Sequence, residues 1–416
     1  MINVGDKLYS FIALLFVFLS LLGYQLATTL MLPLSSDVAG VSHTVTYPYR
    51  ILLFVLAVLL IILSPVTKRQ KQNKRTATIY LLFMLIYFIR ILYDIFVKQV
   101  YILPGFQTII LQYIFISIIP SLWAIERCAL YINYERLLRW LMIGSSILLV
   151  FTLMNQNSLI DAEYDEMVRG QGNVALGSIG FGHTCASLFI IFLTWIVCHK
   201  KGKWIWKAFM VLMMAISIIL MLRAASRGPL VTFVVVLLLF LFSRMKNKVL
   251  GLIIALTVVL VIWYNMSTIL SWLGNISPMM EKRMAAAMYE EDSSGRDLLY
   301  KQAIDMFLQN PVFGKQFILY RGIYSHNSIL DVMIGLGFFG TLVWIYLIYQ
   351  DLKWTYRHVL NRTSLMVVGL LSVQFIFKGF FSGAIYIDNC LVICMMIVLS
   401  VITDPKDESQ DGTTFS

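Results

Sequence analysis

Three short stretches of this 416-residue chain each place a chemistry-bearing side chain where a helix should begin. In "RAASRGPLVTF" Ser226 reads as an N-cap, Arg227 falls in the first turn, and Pro229 is tolerated there. In "SSGRDLL" Arg296 takes the same kind of place behind Ser293 and Ser294, and in "YSHNSIL" Ser325 precedes His326. A cation at a helix N-terminus opposes the macrodipole and costs about 0.3–1 kcal/mol, unless an anion binds beside it and uses both the arginine and the free backbone N–H groups. Arginine at two such starts therefore points to a phosphate group, which its planar fork meets through two parallel hydrogen bonds. The same dipole disfavours imidazolium at His326 and holds the ring neutral, able to accept a proton. Together these types describe anion binding beside a general base. The blander alternative has both arginines snorkelling to lipid headgroups and the histidine serving as a cap.

The remaining ionisable residues carry less. Arg90, Asp94 and Lys98 follow i, i+4 spacing, so an internal ion pair accounts for the first two, although charge at membrane depth also marks functional sites. Arg223, Lys378 and Asp388 fall near the same side and are candidates to line a cavity; Arg90, Tyr300 and Asn327 join Arg223 and Lys378 as candidate substrate-binding residues. His183 and Cys185 supply two potential ligands without a third, so no metal site and no cofactor is expected. His43, His199 and His358 are read as loop residues without a role, and Cys390 and Cys394 as small buried packing groups one turn apart.

The elements that must position these residues are membrane helices. The chain is 59% hydrophobic and only 13% charged, with a mean hydropathy of +0.81, against roughly 25% charged in a soluble protein. Its formal charge of +11 is read as a topology signal rather than a nucleic-acid footprint. Apolar runs near the ~20 residues that cross a bilayer fall at 8–33, 49–66, 77–97, 106–123, 137–154, 181–198, 204–222, 228–243, 248–269, 326–348, 364–381 and 384–402. The fold class is thus all-α and polytopic, with about twelve transmembrane helices: nine within residues 1–269 and three within 326–402. No cleavage site follows the first run, so it is expected to be retained. Basic residues crowd alternate connections, from Lys68 to Arg75, Arg127 to Arg139, Lys200 to Lys207, Arg244 to Lys248 and Lys353 to Arg362, which puts both ends in the cytoplasm. Two outer connections are long, 155–180 and 270–325. The second holds an amphipathic helix with Tyr300, Ile304 and Phe307 on one face, ending at Asn310-Pro311; residues 403–416 form a disordered polar tail.

"SRGPL" (Ser226 to Leu230), "GRDLLYKQAIDMFLQNPVFG" (Gly295 to Gly314) and "SHNSILDVMIGLGFFG" (Ser325 to Gly340), in that order, resemble the O-antigen polymerase and O-antigen ligase superfamily of bacterial membrane glycosyltransferases. The resemblance covers the C-terminal half; the N-terminal half matches only in hydropathy. It implies a C-type glycosyltransferase-like fold in the inner membrane, with the site on the periplasmic face. It further implies transfer of an oligosaccharide from an undecaprenyl-diphosphate carrier to a glycan acceptor, without metal or nucleotide sugar, with a chain-length regulator as a further partner and no nucleic acid. The family's functional trio would be Arg227, Arg296 and His326. Tyr300 stands where many relatives carry tryptophan, which bears on the sugar. Polymerase is favoured over ligase because polymerases commonly carry two sizeable outer loops; a lipid-linked oligosaccharide flippase and a structural membrane subunit are the readings from other classes. Charges gathered at the outer face rather than the midplane speak against the transporter.

Overall fold

Inside a bilayer every backbone polar group must be satisfied within the protein, which leaves helices as the natural use of long apolar runs. The computed structural model describes residues 4–31, 42–64, 74–154, 177–199, 203–247, 249–251, 253, 257, 260, 261, 264–289 and 296–401, and among these the regular structure is helical throughout. Among the described residues nine helices are long and apolar enough to cross a membrane: α1 (Gly5–Met31), α2 (Thr44–Ile62), α3 (Arg75–Phe96), α4 (Phe106–Tyr131), α5 (Tyr134–Met154), α6 (Ser178–Cys198), α7 (Trp204–Arg223), α8 (Arg227–Arg244) and α12 (Ser328–Asn361). Between α8 and α12 lie α9 (Met266–Ile276), α10 (Pro278–Tyr289) and α11 (Arg296–Gln309). Two shorter apolar helices, α13 (Met366–Ser382) and α14 (Asn389–Ser400), stand where the last two spans are expected. The expected span at 248–269 and the expected outer connection 155–180 lie partly outside the described residues, and Ser293, Ser294 and the polar tail wholly outside them. The protein is a polytopic, all-helical membrane protein.

The chain divides into two compact units. The first contains Met1–Ser20, Arg50–Leu137 and Leu299–Ser416. At its centre is α14, buried from Leu391 to Ser400 and packed against α3, α4, α12 and α13. A helix apolar on every side belongs in a protein interior. At 12 residues it spans only about 18 Å, and its surroundings are protein rather than lipid.

The 34-residue α12 is broken at Gly337, whose φ of 67° and ψ of −160° only glycine adopts readily. The break frees backbone groups at membrane depth, and the connection from α11 satisfies them: the N–H groups of Lys315 and Gln316 donate to the Ile334 carbonyl at 2.7 and 3.1 Å, and Phe338 N–H donates to the Pro311 carbonyl at 2.8 Å. Space for this splice comes from missing side chains. A Cβ on Gly337 would lie 2.3 Å from the Val312 oxygen, and one on Gly314 would lie 2.6 Å from the Gly335 carbonyl carbon. α11 closes over the same place, with Leu299, Ala303 and Met306 packed on Leu319 and Ile334. Its buried stripe is therefore one residue away from the expected Tyr300, Ile304 and Phe307: Tyr300 and Phe307 flank the stripe and Ile304 is exposed. His358, expected in a loop, is instead a buried residue of α12.

The second unit contains Leu21–Tyr49 and Leu138–Leu298, with α6 packed on α7 and α8, and α9 on α10. Near the start of α8, a Cβ on Gly182 of α6 would stand 2.7 Å from Pro229 Cγ. The small residue lets the two helices approach closely and seats the first turn of α8.

Candidate active site

In the second unit Arg223 is the last residue of α7 and Arg227 the first of α8, so both border the connection Ala224–Ala225–Ser226. That turn is buried at all three positions. Ala225 carries a φ of 46° and Ser226 returns the backbone to an extended conformation, φ −119° and ψ 120°, as the N-cap. Ser226 holds the cap position as expected but makes no side-chain cap hydrogen bond. The two arginines meet opposite helix ends. Arg223 sits at a C-terminus, where the dipole favours a cation, and Arg227 at an N-terminus, where it does not. Arg296 likewise opens α11.

In the first unit His326 does not begin its helix. Asn327 is the N-cap of α12, its Oδ1 accepting from Ile329 N–H at 3.0 Å and Leu330 N–H at 3.3 Å. His326 stands one residue earlier with a φ of 62°. The cause is local: serine and asparagine are comparable caps, but the Ser325 hydroxyl is engaged with the Asn327 backbone, which leaves Asn327 to cap the helix. The Ser325 hydroxyl accepts from Asn327 N–H at 3.2 Å and donates to the Asn327 carbonyl at 2.9 Å, while Ser325 N–H donates to the buried carboxylate of Asp331 at 2.8 Å. The imidazole lies 4.4 Å, centroid to centroid, from the Tyr324 ring, which lies 5.8 Å from Phe106. Leu103 N–H donates to the Gly322 carbonyl at 3.2 Å and holds this loop on the start of α4.

Arg90 and Lys98 are brought to the connection between α11 and α12. Arg90 Nε bonds Asp94 Oδ2 at 2.9 Å and its Nη2 reaches the Lys315 carbonyl at 2.5 Å, which also receives Lys98 Nζ at 2.7 Å. Asp94 Oδ2 in turn accepts Phe317 N–H at 2.8 Å. Arg90 thus has a structural occupation, as the ion-pair reading of its spacing expects. Tyr300 borders the other side of that connection, packed partly buried against the cluster that includes Leu319. Lys378 of α13 is paired with Asp388 Oδ2 at 2.7 Å, and the other oxygen of Asp388 caps α14 through Leu391 N–H at 3.1 Å. The next residue, Gly379, faces Ser328 at the start of α12, where a Cβ would be 3.2 Å from the serine hydroxyl. His183 lies buried with Nδ1 3.5 Å from Thr232 Oγ1, and no group of metal-ligating residues occurs among those described.

Four non-glycine residues among those described have positive φ: Gln99, Ala225, His326 and Arg362. Two of the four fall inside or immediately before the "SRG" and "SHN" motifs. Strained backbone of this kind persists only where the surroundings over-determine it, and it concentrates at functional sites. Asp331 was not selected from sequence, although a lone acid near the end of an apolar run is a signal that could have found it.

Residues 212–345 match the family model described as O-antigen ligase. The match runs from within α7 into α12 and includes Arg223, Arg227, Arg296, Tyr300, His326 and Asn327, leaving Arg90 and Lys378 outside. No curated protein matches the chain. The matched segment is similar to that family and supports an O-antigen ligase- or polymerase-type function for a membrane glycosyltransferase-type enzyme.

Proposed function

We propose that the protein is a surface-polysaccharide polymerase of the bacterial inner membrane, with both termini cytoplasmic and its site on the periplasmic face. It transfers an oligosaccharide from an undecaprenyl-diphosphate donor to a lipid-linked acceptor repeat unit. The acceptor hydroxyl attacks the anomeric carbon of the donor, the bond from that carbon to the diphosphate oxygen breaks, and its electron pair leaves with the diphosphate. Arg227 and Arg296 bind the diphosphate and stabilise its growing charge, while His326 takes the acceptor proton. The guanidiniums supply the positive charge, so the reaction proceeds without a divalent metal. A chain-length regulator is a further partner of a polymerase. The observation that carries this reading is the occurrence of Arg227 and Arg296 as the first residues of α8 and α11, within a matched O-antigen ligase domain.

The description of that domain favours a second reading, transfer to the sugar core of lipopolysaccharide, which uses the same donor and bond changes with a different acceptor. Gel separation of surface glycolipids after gene deletion separates the readings. The polymerase leaves glycolipid with a single repeat unit and no long chains. Loss of the single-repeat band with lipid-linked polymer accumulating identifies the ligase. Repeat units retained in the cytoplasm identify a transporter and overturn both.

A further inference from the structure

We propose that Asp331 is the positioning residue for His326, holding the imidazole toward the acceptor from beneath the loop; the proposal rests on the transferase reading above. Asp331 is fully buried one turn inside α12, with Oδ1 on the Ser325 N–H at 2.8 Å and Oδ2 without a hydrogen-bond partner among the described residues. Its own carbonyl accepts the hydroxyl of the buried Tyr87 of α3 at 3.4 Å, so both its backbone and its side chain are tied down. A buried carboxylate with one unmatched oxygen is unfavourable as packing, and an apolar residue would serve the helix interior better. What the carboxylate accomplishes is local. It fixes the residue before His326, while the hydroxyl of Ser325 and the cap of Asn327 fix the residue after it.

His326 is thereby held between two anchored neighbours at a φ of 62°, a conformation that L residues leave when they are free to. Without the Asp331 anchor the loop relaxes toward negative φ and the imidazole turns away. An error of about 1 Å in the place of a catalytic group costs roughly 100-fold in rate.

The experiment uses full-length protein in detergent with lipid-linked donor and acceptor, comparing wild type with Asp331→Ala, Asp331→Ser and Asp331→Asn. Asparagine keeps an acceptor at the position of Oδ1, whereas the serine hydroxyl stops short of the Ser325 N–H. The expected result is a kcat about 100-fold down in Ala and Ser with KM for donor and acceptor unchanged, and a kcat within about threefold of wild type in Asn. If Ala fails to accumulate, the Ser and Asn pair decides. Equal kcat in Ser and Asn, or a loss carried by KM, overturns the positioning role. No transfer by wild type overturns the transferase reading itself, and the positioning role with it, which separates that failure from failure of Asp331 alone.

Discussion

Gly314 and Gly337 meet backbone to backbone: a Cβ on Gly337 would stand 2.7 Å from the Gly314 nitrogen as well as 2.3 Å from the Val312 oxygen. This contact joins the connection after α11 to the break in α12, and so ties the helix opened by Arg296 to the helix that follows His326. Neither partner is a flexible side-chain end, so the contact has no way to relax except by moving backbone.

Gly337→Ala should therefore destabilise the protein by at least about 2 kcal/mol, combining left-handed strain with overpacking. The measurement is the apparent melting temperature in detergent, with Gly5→Ala as a control, since a Cβ at Gly5 meets nothing within 4 Å. The control should melt with wild type, and a Gly337→Ala protein doing the same would show that the splice is not under constraint.

Asp94 and Arg90 form one unit with the backbone at Lys315 and Phe317. Asp94→Ala leaves the part-buried Arg90 guanidinium without its carboxylate and the buried Phe317 amide without its acceptor, and should cost about 1–3 kcal/mol. Adding Arg90→Ala to it should cost less than Arg90→Ala alone, because only the bonds to the Gly314 and Lys315 carbonyls are left to lose. A double-mutant cycle on thermal stability checks this. Additive effects would free Arg90 from its structural occupation and restore it as a substrate ligand.

How much of this was legible in the sequence depends on range. The all-helical class, the cap position of Ser226, the place of Arg227 in the first turn and the helix ending before Pro311 follow from periodicity and short-range rules, which act within a turn or two. The errors arise where a distant residue decides. The buried stripe of α11 shifted by one position because Leu319 and Ile334 chose Leu299, Ala303 and Met306 as their partners. The His326 backbone departs from a helix start because Asp331 and Asn327 claim its neighbours. The break at Gly337 is invisible to hydropathy, since the run around it is apolar on both sides and a positive φ leaves no mark on composition.

The alternation of basic connections predicts opposite sides of the membrane for Tyr101, between α3 and α4, and Asn361, at the end of α12. Both side chains are exposed, which makes them usable reporters. In a background without the native cysteines, Tyr101→Cys should react with a membrane-impermeant thiol reagent in intact spheroplasts, and Asn361→Cys only after the membrane is opened. The reverse pattern would put the α11–α12 connection in the cytoplasm and remove the proposed meeting place of donor and acceptor.

Arg227, Arg296 and His326 should fail in different ways, because two of them are asked to hold charge and one to move a proton. Arg227→Lys and Arg296→Lys keep the positive charge but lose the planar fork that matches phosphate oxygens, so each should weaken donor binding and lower transfer by about 10²–10³-fold. His326→Ala removes the proton acceptor and should lower turnover by about 10²–10⁴-fold while leaving donor affinity near wild type. A group that acts only as the acceptor oxygen attacks contributes to the transition state and little to the ground state, so binding and turnover must separate by residue. The check is purified protein with lipid-linked donor, measuring binding and chain extension for each variant with chelator present throughout. Extension at wild-type rate by His326→Ala would remove the base. Loss of wild-type activity to the chelator would transfer the charge-stabilising role from the two arginines to a metal, and unchanged donor affinity in both lysine variants would leave the helix-start arginines without the ligand that their position calls for.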